Sequence, residues 1–327
     1  MVTWVRNHFH VIWRLLLIAL IGLVALGIYS LPLQVNSRPA KIIAIGKAPA
    51  VSTAFWWSVK SGMEAAAEEY SERIEYWSPT DESRVDEQIA MLRQAIAQKP
   101  DVILLAALDK NRLVEPAREA RAAGIRLVMF DSSIESSGSP IFDSFVATDN
   151  IAAGEKLGGK LLELLPRQKK VLIVSPSTKG DSLIGRETGV RNRIEGQYEI
   201  LPTVDVQGSF SNDVYSKISQ ILETQPDISG IVCLNEYTTV GASRAVLGAG
   251  LSGKIELVGF DSSEELINYV EGGLLSAIVI QRPFNMGYLS VVCSRDILAG
   301  KAVAPFYDTG SIVITKDTLY EKENEKL

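Results

Sequence analysis

From Lys41 onward, short apolar runs alternate with stretches of helical period, and that alternation restricts the chain to α/β folds built on parallel sheets. Ile42-Ile-Ala-Ile45, Val102-Ile-Leu-Leu-Ala106 and Ile125-Arg-Leu-Val-Met-Phe130 read as buried strands, with Ile74-Glu-Tyr-Trp77 as a more exposed one. Uninterrupted apolar runs suit strands covered by helices on both faces. The spacing predicts helices between them over 57–70, 82–98 and 111–123; Val85, Ile89, Leu92 and Ile96 share one face of the second. The rhythm restarts at Ala153, with helices over 153–165, 184–195, 214–224, 239–249, 264–271 and 286–299. Strands at 170–174, 204–206, 228–233, 255–260 and 275–280 lie between them. Two such runs predict two doubly wound parallel-sheet lobes, and 327 residues are enough for each to bury a core. Ligands of such sheets bind beyond the carboxyl ends of the strands, so a cleft between the lobes is the expected site.

The first forty residues have another character. Arg6 and Arg14 precede Leu15-Leu-Leu-Ile-Ala-Leu-Ile-Gly-Leu-Val-Ala-Leu-Gly-Ile-Tyr-Ser-Leu-Pro-Leu33, and no charge occurs between Arg14 and Arg38. An uncharged run of about 20 residues can cross a bilayer as a helix. The expectation is a cytoplasmic segment 1–14, a single transmembrane anchor over 15–35 and all the rest outside the cell membrane, because the flanking positive charge lies on the N-terminal side. A cleaved signal peptide ending near Ala25-Leu-Gly27 is the alternative. The apolar run continues through Ile28, Leu31 and Leu33, beyond the usual length of such a segment. Both readings export the remaining chain.

Composition removes several functions. A net charge of -6 offers no broad basic surface for nucleic acid. The two histidines, His8 and His10, both precede the apolar run, so no Ser-His-Asp or Cys-His machinery is available in the exported part. Cys233 and Cys293 sit in apolar stretches and read as small buried hydrophobes. Neither a glycine-rich dinucleotide turn nor a phosphate loop follows the first strand, which leads into Gly46-Lys-Ala-Pro-Ala50. The expectation is a binding protein without cofactor or metal, not an enzyme.

Polar and aromatic residues gather at the strand ends instead. Phe55 and Trp56 lie just past the first strand, Asp131 follows Phe130, Asn235 follows the strand through Cys233, Asp261 follows Phe260, and Gln281 follows Ile280. Aromatic faces stacked on C–H surfaces, with carboxylates and amides fanned out to hydroxyls, are what a neutral polyol requires. Any one Asp or Asn could equally be a helix N-cap or turn residue.

The ordered motifs Phe55-Trp-Trp-Ser-Val-Lys-Ser-Gly62, Gly124-Ile-Arg-Leu-Val-Met-Phe-Asp131, Ala147-Thr-Asp-Asn-Ile-Ala-Ala-Gly154, Asn235-Glu with Gly241, Val258-Gly-Phe-Asp261 and Gln281-Arg-Pro-Phe-Asn-Met-Gly287 resemble the type I periplasmic sugar-binding proteins. The resemblance runs from about Lys41 to the C-terminus. It implies three hinge crossings, near Thr148, Gln281 and 307–310, and hence an N-terminal lobe of 36–147 plus 282–309 and a C-terminal lobe of 148–281 plus 310–327. It also implies that Phe55 and Trp56 sandwich a sugar ring, and that Asp131, Arg186, Asn235, Asp261 and Gln281 hydrogen-bond it. Thr53 and Ser132 stand where ribose-type receptors often carry Asn and Arg, so a pentose other than ribose, a hexose or a small polyol is expected. Two partners suit a clamp that closes on such a ligand. One is the ectodomain of a membrane histidine kinase, making this chain a sensing subunit, which is the leading expectation. The other is the permease of an ABC importer. The tail from Lys316 to Leu327 reads as a solvated helix.

Overall fold

The computed structural model describes residue 13 and residues 38–135, 141–177, 180–206 and 210–321. The expected transmembrane segment over 15–35 lies outside the described residues. Among those residues, no helix is long and apolar enough to cross a membrane. Contacts divide the chain after Arg38, and the fold below is that of Pro39–Leu327.

In chain order the elements are β1 (Lys41–Ile45), α1 (Ala54–Tyr70), β2 (Arg73–Trp77), α2 (Val85–Ala97), β3 (Val102–Leu105), α3 (Val114–Ala122), β4 (Arg126–Phe130) and β5 (Ser144–Ala147). They continue as α4 (Asn150–Leu164), β6 (Lys170–Pro176), α5 (Asp181–Ile194), β7 (Glu199–Ile200), β8 (Val204–Val206), α6 (Ser211–Thr224) and β9 (Ile228–Cys233). The remainder is α7 (Glu236–Gly248), β10 (Glu256–Phe260), α8 (Glu264–Glu271), β11 (Ala277–Gln281), α9 (Pro283–Leu298), β12 (Phe306–Asp308) and β13 (Ser311–Ile314).

Two sheets result. The first has the order β12-β5-β4-β3-β1-β2; the second has β13-β11-β10-β9-β6-β7, with β8 also paired to β6. Every pairing is parallel except that of β13 with β11. Parallel neighbours cannot be joined by hairpins, so most steps run through a helical crossover, which is why the periodicity alternates as it does. Both faces of each sheet are apolar. Ile42, Ala44, Leu104, Val128 and Phe130 pack on one face of the first sheet, and Ile43, Ile45, Ile103, Leu127 and Met129 on the other. Leu172, Val174, Ile231 and Leu257 serve one face of the second, and Ile173, Val232, Val258 and Phe260 the other. The chain passes from one sheet to the other three times: after β5, after β11 and between β12 and β13.

Several predicted boundaries move. Helix α1 begins at Ala54 and not at Trp57, because Thr53 caps it by accepting a hydrogen bond from Trp56 N at 3.2 Å. Phe55 and Trp56 are therefore first-turn helical residues. Helix α3 starts at Val114 rather than Asn111; the Asp109 carboxylate holds Asn111 N and Arg112 N in a turn. The tail is not a helix over its described part, since residues 316–320 form turns. Leu319 packs on the core of the second sheet and the Tyr320 hydroxyl donates to Glu271. Cys233 and Cys293 are buried free thiols; burial pushes Cys233 well above its usual range and raises Cys293.

Candidate functional site

The site is assembled from strand ends. Strand β4 stops at Phe130 and β10 at Phe260; each is followed by an aspartate in the left-handed region, with φ of 56° at Asp131 and 69° at Asp261. Asp tolerates that conformation better than most residues, yet it is uncommon outside glycine. Both turns are tied back to the sheets: Asp131 N donates to Val146 O at 3.1 Å and Asp261 N to Val279 O at 2.9 Å. The side chains thereby leave the ends of the sheets toward one shared space.

That space is a narrow cavity of about 40 Å3. All seven residues singled out from the sequence line it: Phe55, Trp56, Asp131, Arg186, Asn235, Asp261 and Gln281. Residues up to 226 positions apart in the chain (Phe55 to Gln281) thus meet at one place.

Arg186 is the best-anchored of them. Only 4% exposed on α5, it donates from Nε to Asn150 Oδ1 at 2.9 Å and from Nη1 to Leu234 O at 2.8 Å. Its guanidinium lies 4.4 Å above the Phe260 ring, and Nη1 is 3.8 Å from Asp261 Oδ2. A fork fixed on this many sides is pre-organised and loses little entropy on meeting a hydroxyl. Gln281 donates from Nε2 to Asp261 Oδ1 at 2.5 Å, which fixes its amide and leaves Oε1 buried without a partner. Burial raises the Asp261 carboxyl above its ordinary pKa, against the lowering effect of Arg186.

Asn235 is also the N-cap of α7, where its Oδ1 accepts from Thr238 N at 3.1 Å. The capping role and a place on the cavity wall are both realised at this residue. Trp56 is 2% exposed, and its indole N–H donates to Glu82 at 2.9 Å. Its ring stands edge-on to Phe55 at 5.0 Å and to Phe130 at 6.4 Å, so Phe55 and Trp56 are perpendicular neighbours rather than two facing walls.

Further residues join this set without having been singled out from the sequence. Lys47, 6% exposed, forms an ion pair with Asp131 at 2.6 Å and donates to Ser132 and, at 3.2 Å, to Ser182 at the start of α5. Ser132 and Ser182 hydrogen-bond each other at 2.7 Å. These contacts join the end of the first sheet to a helix packed on the second. Glu82 and Glu236 line the cavity too. The Glu236 carboxylate accepts from the backbone N–H groups of Ala54 and Phe55 at the start of α1, while its Oε2 remains buried without a partner. Burial, with Asp261 and Glu82 nearby, pushes its pKa up to about 8. The position of Lys47 in the turn after β1 was the available signal; its partners are too distant in sequence to be read from spacing.

Comparison with known proteins gives concordant results. The sequence profile of the periplasmic binding protein domain family matches residues 46–302. The D-allose-binding periplasmic protein of Escherichia coli is 26% identical over 244 residues, covering 72% of this chain and 78% of its own. The ribose import binding protein of Bacillus subtilis is 24% identical over 269 residues, covering 82% and 86%. A crystal structure of an ABC transporter solute binding protein from Agrobacterium vitis with bound D-fucose superposes with a TM-score of 0.84 at 30% identity, covering 88% of this chain and 99% of that one.

Proposed function

Because the chain belongs to the periplasmic binding protein domain family, we propose that it binds a monosaccharide, a pentose or hexose, in the cavity between its two sheets. It is a binding protein and not an enzyme, and the binding domain is extracytoplasmic. The observation that carries the proposal is the convergence of Phe55, Trp56, Asp131, Arg186, Asn235, Asp261 and Gln281 on one cavity. Carboxylates accept from sugar hydroxyls, Arg186 donates, and Asn235 and Gln281 have both capacities. Phe55 and Trp56 supply the apolar edge for ring C–H groups.

The lobes of the clamp are 36–147 plus 282–309 and 148–281 plus 310–327, rotating about the three passages of chain between the sheets. The ligand touches both sides only when they are closed, so it shifts the population toward the closed form. Of the two uses of such closure, delivery to the permease of an ABC importer has the better support. Two of the relatives are an import binding protein and an ABC transporter solute binding protein. The uncharged apolar run over 15–35 is the proposed tether that keeps this receptor beside its permease.

Isothermal titration of the full-length protein with D-allose, D-ribose, D-fucose and D-arabinose tests the binding step. Saturable heat for at least one of them, lost in Asp261→Ala, is expected. A folded protein that binds none would remove the monosaccharide reading. Affinity capture from the native membrane then decides the partner: permease subunits support import, and a histidine kinase supports sensing.

A further inference from the structure

The charge around the cavity is unbalanced. Its lining holds Glu82, Asp131, Glu236 and Asp261 against Lys47 and Arg186. Both cations already face a carboxylate: Lys47 pairs with Asp131 at 2.6 Å, and Arg186 stands 3.8 Å from Asp261. At the end of the cavity that continues outward, Glu236 has no cation beside it among the described residues, and Glu82, which accepts from the Trp56 indole, shares the field of Lys47. There the space widens into an outer cleft, which shares Thr53, Glu82, Glu236 and Tyr237 with the inner one. Its lining adds Glu264 and Glu265 against Arg244, with Asp81 paired to Arg84 at 3.3 Å. Arg244 is itself spent on Glu265 at 2.7 Å.

A second observation concerns acceptors. Glu236 Oε2 and Gln281 Oε1 are buried atoms on the cavity wall that lack any hydrogen-bond partner. Gln281 is 2% exposed and its amide is oriented by donation to Asp261, so the unpartnered atom is the acceptor. Buried polar atoms without partners are costly, and a ligand is the natural source of the missing donors. The site is thus short of donors and of positive charge at the same time.

Resting on the monosaccharide reading above, we propose that this cleft selects a sugar that carries an amine, with the ammonium held between Glu236 and Glu82. An ammonium brings three donors and one positive charge, which meets both deficits with one group. The acidic outer cleft raises the local concentration of such a cation and speeds its approach. In the empty cavity, burial keeps Glu236 protonated near neutral pH, at a pKa of about 8. The arriving ammonium displaces that proton to solvent, and the carboxylate then accepts from it. Sugar acids and sugar phosphates meet the opposite field and are rejected.

The test is isothermal titration of the full-length protein with 2-amino-2-deoxy hexoses (the gluco, galacto, manno and allo forms), their neutral parents and the matching uronic acids. For the configuration that binds best, the amine is expected to bind about tenfold or more tightly than its parent, the gain of one charge-assisted hydrogen bond. The uronic acid is expected not to bind. Glu236→Gln is expected to reduce the amine-to-parent ratio to under threefold, a readout internal to the variant. A neutral parent that binds as tightly as its amine in the unaltered protein overturns the amine assignment and leaves the sugar reading standing. Absence of binding by every member of the series overturns both.

Discussion

Asp131 and Asp261 occupy equivalent places on the two sheets, each directly after a buried phenylalanine and each with positive φ. A non-glycine residue held there costs energy that the surroundings must offset, and such outliers gather at binding sites. The partner of each aspartate is a buried cation, and that makes the cations testable. Lys47→Met leaves Asp131, 4% exposed, without its ion pair. A loss of about 3 kcal/mol in unfolding free energy is expected from urea denaturation, because the remaining charge is buried and uncompensated; a loss well under 1 kcal/mol would show that the pair is not structural. Glu236 gives a pH dependence. Its folded pKa of about 8 exceeds the ordinary 4.5, so the folded protein holds this proton more tightly than the unfolded chain does. Its contribution is therefore full below pH 4.5 and fades as pH rises to about 8. Thermal unfolding between pH 5 and 8 should show that decline, and Glu236→Gln should flatten it; an unaltered slope in the variant contradicts the assignment. At this scale the sequence was informative where the chemistry was local. Residues at the ends of apolar runs could be found from the runs themselves. Lys47 could not, since it bonds Ser182 across 135 positions, a pairing that no period encodes.

Elements bring these residues together through close helix contacts. Gly154 on α4 lies where a Cβ would come within 2.1 Å of Arg186 O, and Gly189 on α5 where one would come within 2.0 Å of Ile151 O. The two helices approach backbone to backbone, which is what sets Arg186 over the Phe260 ring. Gly154→Ala must therefore push α5 away. We expect at least a tenfold loss of sugar affinity together with a destabilisation of about 2 kcal/mol from overpacking. Gly287→Ala, whose Cβ would meet Val59 O at 2.0 Å between α9 and α1, serves as the comparison. Equal affinity in Gly154→Ala and the unaltered protein would mean that α5 does not position the arginine. Long elements were legible: α2 and α7 show helical spacing, and β3 and β4 are bounded apolar runs. Strand β7, of two residues, carries no period, and β5 opens on Ser144, which shortens its apolar run below the four of β3. The start of α1 was misplaced because the cap at Thr53, not apolar spacing, decides it.

At the scale of the molecule, the two-sheet architecture follows from the restart of the βαβ rhythm at α4, and the position of the cavity follows from the strand polarity that parallel pairing imposes. What the rhythm could not supply was the join between the sheets. Lys47 to Ser182, Ser132 to Ser182, and Glu236 to the start of α1 are all contacts between elements of the two sheets. In the proposed clamp they would form only when the lobes meet, and the proposed sugar between Asp131 and Asp261 would add to them. Small-angle X-ray scattering of the protein, alone and saturated with the monosaccharide that binds best, tests that claim directly. A smaller radius of gyration is expected on binding, reversed when the sugar is dialysed away. An unchanged scattering curve at a sugar concentration shown by titration to saturate the site would contradict it.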